Sequence, residues 1–282
     1  LNAPTRKSKN LPVVLVLVFV PVALVSADDS GQLSPREISQ KYFHPTRASL
    51  SGLRERGLEE TGLVAVYPKD ATCPQADSFF ADPKRGDGSA RNPRFNHGMH
   101  AGLDIPAPEG TPILAIADGE VVAKKEETPD GIGGIGIIVQ HAPADTGYTV
   151  WTYTRYKHLK EMPALDIGAR VKMGQKIADT GTSGTSGRHY GGGGHSHLHL
   201  DLFVSPDDKY FSGEVVFFPI NGQVADPLAI FRGEPMDTAS VRKLPADQKK
   251  VFIPYMTEAG KVVNSGKTRV IWPYACKTTD QP

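Results

Sequence analysis

Three stretches of this chain carry residues whose types and spacing suit chemistry. In GGGGHSHLHLDLF, Gly191 to Phe203, histidines fall at every second position: His195, His197 and His199. A β-strand sends alternate side chains to one face. On a strand these three and Asp201 would share a face, with Leu198, Leu200 and Leu202 turned into a core. Neighbouring imidazoles on that face lie ~7 Å apart along the strand. One can bind a metal while the next reaches the metal's water or a substrate. The plain alternative is a hydrated polar strand face. Upstream, HAGLDIP places His100 and Asp104 four residues apart. Both are suitable zinc ligands, although His-x-x-x-Asp is common by chance. YKHLK holds His158, which on its own would be an unremarkable histidine. No histidine is followed by glutamate anywhere in the chain, so a His-Glu-x-x-His site with its glutamate base is excluded.

The elements that must position these residues are mainly strands. TPILAIA, GEVVAKK, IGIIVQH, YTVWTYTRYKHL and HLHLDLFV are short, β-branched or aromatic, and bounded by Gly and Pro turns. In YTVWTYTRYKHL, Val150, Thr152, Thr154 and Tyr156 alternate onto one side. Gly102 between His100 and Asp104, and Pro106 and Pro108 after them, favour a loop entering a strand over a helix. Close spacing and tight turns predict an antiparallel sheet or small barrel. The domain is expected to close near DPLAIF, Asp226 to Phe231.

The flanks are less regular. PREISQKYF reads as a short helix with Ser34 as cap and Pro35 in its first turn. TCPQADSFFADPKRGDGSARNP is rich in turn formers and reads as a linker or a wrapped loop. After residue 231, VFIPYM and TRVIWPYA flank turn residues and suggest a hairpin. Cys73 and Cys276 are the only cysteines. An oxidising compartment would allow them to bridge; two separate buried thiols is the other reading.

Arg6, Lys7 and Lys9 precede an uncharged apolar run, Leu11 to Val25, followed by Ser26 and Ala27. That pattern reads as a cleaved secretory signal. The run carries Pro12 and Pro21 and is shorter than the roughly 20 residues a spanning helix needs. Export would place the protein in the periplasm or outside the cell. Without those three cations, 29 basic and 31 acidic side chains remain, so no basic footprint for nucleic acid exists.

Taken in order, HAGLDIPAPEGTPILAIADGEVV, GIIVQH, YKHL, GARVKMGQKIADTGTSG and HLH resemble the lysostaphin/LytM-type zinc metallopeptidases, which hydrolyse peptides of the peptidoglycan cell wall. The resemblance covers roughly residues 94–204. It implies a lysostaphin-like, duplicated-hybrid-motif β domain over residues 93–231. Around it lie a signal peptide (1–27), an N-terminal segment (28–92) and a C-terminal extension (232–282). The resemblance implies that His100, Asp104 and His199 bind Zn2+ and that His158 and His197 are catalytic. Three protein ligands leave a fourth position for water, whose pKa zinc lowers toward ~7. Proton transfer and oxyanion stabilisation then fall to His158 and His197, with the division between them open. Asp201 would either orient His199 or face solvent. The family's usual turn before His-x-His is lengthened here by SGRHYGGGGHS, which adds His189 and His195 and has Ser196 in a proline position.

The expected activity is zinc-dependent endopeptidase cleavage of peptidoglycan cross-links or stem peptides, with peptidoglycan peptides as the partner. The family's members divide between glycine bridges and stem-peptide cross-links. The alternatives are a non-catalytic wall-binding or hydrolase-activating module, and a scavenger using the His-rich tract to bind several metal ions.

Overall fold

The alternating strands assemble one antiparallel sheet of seven strands. They are β1 (Leu103–Pro106), β2 (Gly119–Lys125), β3 (Gly136–His141), β4 (Trp151–Lys157), β5 (Arg170–Val171), β6 (His197–Ser205) and β7 (Gln223–Ala225). The spatial order is β7-β6-β4-β3-β2-β5. β6 is the longest strand, with β4 along one edge. Its other edge is shared: β1 pairs with the first half, His199 opposite Asp104, and β7 with the second, Leu202 opposite Ala225. The computed structural model describes residues 33–128, 133–185, 195–234, 236–263 and 269–279. The signal-peptide reading of residues 1–27, and most of the lengthened loop before His195, lie outside them.

Period-two alternation explains the two faces. Leu198, Leu200 and Leu202 of β6, Tyr156 of β4 and Ile137 and Val139 of β3 enter the main apolar core. On the opposite face, Tyr153, Phe203 and Ile138 form a smaller cluster with Phe217. The rest of that face is the floor of a cleft. Of the predicted strand face, His197, His199 and Asp201 lie in β6, whereas His195 precedes the strand. The DPLAIF segment forms a short buried helix, Leu228–Arg232.

Pro35 begins a helical turn, Pro35–Ile38, that continues as a wider turn through Phe43. Its Phe43 ring stacks on Phe218 with centroids 4.5 Å apart. A second helix, Leu50–Glu55, is capped by the Ser49 hydroxyl, which accepts from the Gly52 N–H at 3.0 Å.

The C-terminal extension does contain a hairpin, but its arms are Tyr255–Thr257 and Val262–Val263 rather than VFIPYM and TRVIWPYA. Lys250–Phe252 pairs in parallel with Val64–Val66, and Tyr255–Thr257 in parallel with Ala275–Thr278. Ala275–Thr278 pairs antiparallel with Ala71–Thr72, and Cys73 and Cys276 are joined by a disulfide. A local turn between the two stretches could not supply these pairings. Their apolar side chains, Val251, Ile253, Tyr255, Ile271 and Trp272, find burial by joining the N-terminal segment and the core. No helix among the described residues is long and apolar enough to cross a membrane.

Candidate metal centre

Three side chains converge at the β1–β6 edge. Asp104 sits in β1 opposite His199 of β6, so both point into the cleft from paired strands. His100 reaches the same point from the loop before β1. The His100 Nε2 lies 3.0 Å from Asp104 Oδ1 and 3.0 Å from His199 Nδ1. His199 Nδ1 lies 2.7 Å from Asp104 Oδ1. Gly102 makes the approach possible: a Cβ there would stand 2.5 Å from the Leu200 carbonyl oxygen and 2.7 Å from His199 Nε2.

The outer partners fix the protons. His100 Nδ1 faces the Phe79 carbonyl at 3.0 Å. A carbonyl only accepts, so Nδ1 carries the hydrogen and Nε2 a lone pair. His199 Nε2 faces Asp201 Oδ1 at 3.1 Å, which places its hydrogen there and the lone pair on Nδ1. In these tautomers two imidazole lone pairs and a carboxylate oxygen face one another. That arrangement is repulsive without a cation and suits one well. The 2.7–3.0 Å separations approach the ~3.3 Å edge of a tetrahedron built on zinc–nitrogen bonds of ~2.05 Å. These three residues form the one such cluster among the described residues.

Much of the surrounding shell comes from the wrapped loop 74–92. Besides the Phe79 carbonyl, it supplies Arg91, whose Nη2 donates to Asp104 Oδ2 at 3.2 Å and also to Ser78 Oγ. The Asp104 N–H donates to the Ser78 carbonyl at 2.9 Å, and the Asp77 N–H to the Asp104 carbonyl at 3.1 Å. On the other side Arg155 Nε donates to Asp201 Oδ2 at 2.7 Å. Burial alone would raise the Asp201 carboxyl, but the Arg155 guanidinium and His199 outweigh it and hold it well below the usual range.

His158 and His197 lie beside the cluster. His158 directly follows β4 with a left-handed backbone, φ 63°, uncommon for a residue with a Cβ. That turn brings its ring to 4.8 Å from His197 and 5.7 Å from His199, centroid to centroid. His158 Nδ1 donates to the Ser183 carbonyl at 2.6 Å, and His197 Nδ1 to the His195 carbonyl at 2.7 Å. Each keeps an unprotonated Nε2, and that of His197 is 3.6 Å from Asp104 Oδ1. Burial pushes both imidazoles down, His158 well below its ordinary value with neighbouring positive charge adding to the effect. Both are neutral bases at neutral pH. His195 stacks on His197 with centroids 5.7 Å apart and stays outside the three-ligand cluster.

All five predicted residues thus line one cleft of about 790 Å3. Sequence reasoning missed Phe79, Arg91, Arg155 and Lys157. Arg155 and Lys157 had a readable signal, since they alternate with the core-facing Thr154 and Tyr156. Arg91 and the Phe79 carbonyl had none.

A β domain whose sheet edge gathers His, Asp and His beside two further histidines is the architecture of a metallopeptidase. Residues 98–210 match Peptidase family M23, and this domain of the chain belongs to that family. An uncharacterized metalloprotease of Buchnera aphidicola is 38% identical over 116 residues, 39% of this chain and 26% of that protein. The peptidoglycan DD-endopeptidase ShyC of Vibrio cholerae is 35% identical over 121 residues, 40% of this chain and 24% of that protein. The chain therefore spans about a quarter of the length of these relatives. Among solved structures, the catalytic domain of lysostaphin from Staphylococcus simulans is similar at 27% identity and a TM-score of 0.33, covering 47% of this chain and 79% of that one.

Proposed function

We propose that this protein is an exported zinc endopeptidase that hydrolyses peptide bonds in peptidoglycan cross-links or stem peptides. The carrying observation is the convergence of His100 Nε2, Asp104 Oδ1 and His199 Nδ1 within 2.7–3.0 Å of one another. In this reading those three atoms hold the metal. Zinc held there would act as a Lewis acid and would lower the pKa of a bound water toward ~7. His158 Nε2 and His197 Nε2 are the proton acceptors within reach, each aimed by its Nδ1–H on a backbone carbonyl. Once protonated, the same nitrogens donate to a developing oxyanion or to the leaving amine. The wrapped loop and Asp201 keep the ligand imidazoles in the tautomers that binding requires. The similarity to a peptidoglycan endopeptidase supports the substrate class. Action on the cell wall, and the apolar run at residues 11–25, support a location in the periplasm or outside the cell.

The test is digestion of intact sacculi by residues 28–282, read by mass spectrometry, beside zinc content. New fragments are expected with the metallated parent and none after chelation. His199→Ala should lose bound zinc and activity together. His158→Ala should keep one zinc per chain and lose roughly 100- to 10,000-fold in turnover. Activity retained by His199→Ala would sink the assignment. One zinc bound without any fragment would favour the non-catalytic module.

A further inference from the structure

The cleft floor beyond the ligands is basic, and one of its cations is uncommitted. Register places His199 of β6 opposite Lys157 of β4, Lys157 opposite Gly136 of β3, and Gly136 opposite Lys125 of β2. At ~4.8 Å between strands, this row leads across the sheet from the metal-site strand. The neighbouring row begins with Asp201 opposite Arg155. Lys125, Arg155 and Lys157 line the same cleft as the five site residues.

Two of these cations already have partners. Arg155 Nε donates to Asp201 at 2.7 Å. Lys125 Nζ donates to Ser212 Oγ at 2.8 Å and to the Gly213 carbonyl. Lys157 Nζ makes no hydrogen bond or ion pair among the described residues, although its side chain is half-buried. The carboxylates that act on it are Asp201 and Asp104. Asp201 is taken by Arg155 and His199, and Asp104 by the ligand cluster and Arg91. Next along the row, Gly136 has no side chain to fill the floor; a Cβ there would meet the Tyr156 carbonyl oxygen at 2.9 Å. Asp77, Glu126 and Glu214 also line the cleft, but none forms a salt bridge with Lys157.

An ammonium partly withdrawn from water and left unpaired is costly unless a ligand brings an anion to it. We infer that Lys157, with Arg155 beside it, forms a carboxylate subsite next to the metal centre, so that the preferred substrate is a peptide carrying a free carboxylate on a residue flanking the scissile bond. This rests on the endopeptidase reading above and refines it. Stem peptides carry such carboxylates and oligoglycine bridges do not. The subsite therefore selects stem-peptide cross-links over glycine bridges.

The experiment uses three probes with the zinc-loaded protein: a D-alanyl-diaminopimelyl cross-linked dimer, the same dimer with its flanking carboxylate amidated, and pentaglycine. A charge-assisted contact corresponds to roughly a 10- to 100-fold preference in kcat/KM for the free acid. The preference should appear mainly in KM. Lys157→Gln should bring the acid-to-amide ratio to about one, and Lys157→Glu should invert it. Zinc content and unfolding midpoint of each variant check that the site and fold survive. The same peptides are also titrated onto the zinc-loaded His158→Ala protein, with binding read by fluorescence anisotropy. If no probe is cut, the endopeptidase reading fails while the binding ratio still judges the subsite. A wild-type ratio near one in binding or turnover, or an unchanged ratio in Lys157→Gln, would overturn the inference.

Discussion

Asp201 stands two residues after His199 on the same face of one strand, with its Oδ1 3.1 Å from His199 Nε2. That spacing is the strand period itself, so one element supplies both a proposed ligand and the carboxylate its ring faces. Asp201→Ala would leave the Nε2–H and Arg155 without their acceptor. Zinc affinity, measured by competition with a chelator, should fall roughly 10- to 100-fold. Asp201→Asn keeps an accepting oxygen and should fall less. Equal affinity for all three proteins would show that the contact does not orient the ligand.

Arg91 lies outside the family-matched residues and still reaches Asp104 Oδ2. Arg91→Ala should weaken zinc binding by about tenfold or more while far-ultraviolet circular dichroism stays unchanged. A chelator titration that superimposes on the parent would remove Arg91 from the metal centre's support.

Gly102→Ala would press a methyl group against the Leu200 carbonyl and the His199 ring. The strand behind them is paired on both edges and cannot yield easily. Overpacking of this kind costs about 1–3 kcal/mol. Urea unfolding should show that loss, and zinc stoichiometry should drop below one. A variant with parental stability would mean that the strand gives way at little cost.

The buried His141 predicts a pH effect away from the metal. Its ring bonds the Asp118 carbonyl and the Thr154 hydroxyl, and burial pushes its pKa from 6.5 down to about 4. Between those values the unfolded chain takes up a proton that the folded chain refuses. Stability from this group is complete above pH ~6.5 and is lost as pH falls toward ~4. At ~1.4 kcal/mol per unit, the loss reaches roughly 3 kcal/mol. Unfolding of chelated parent and His141→Gln at pH 7.5 and 4.5 checks this. The parent should lose more than the variant by about that amount; parallel losses would discount His141.

The strands and the histidines were legible because both rest on period two. His197, His199 and Asp201 announce a face by alternating with leucines, and the sheet presents that face to the cleft. The same rule separates Lys157 from Tyr156. The rule does not say which ring nitrogen of His199 points inward. That depends on Asp201 and on where β1 brings Asp104. The wrapped loop was legible only as irregular chain. Its contribution is a backbone carbonyl and one arginine, and neither has a periodicity to read. The C-terminal hairpin was legible at Tyr255–Thr257, but its second arm is the nearer Val262–Val263, and the end of TRVIWPYA supplies a parallel partner instead.

Cys73 and Cys276 are 203 residues apart, near the two ends of the described chain. Synthesis delivers them in that order. The loop that cradles His100 and Asp104 is made first and waits 99 residues for His199. Cys276 arrives later still, once every ligand, both flanking histidines and the whole sheet are present. The bridge therefore ties the segment leading into the cradling loop to a strand made after every one of these residues. It closes a loop that holds all three clustered residues and both flanking histidines between its ends.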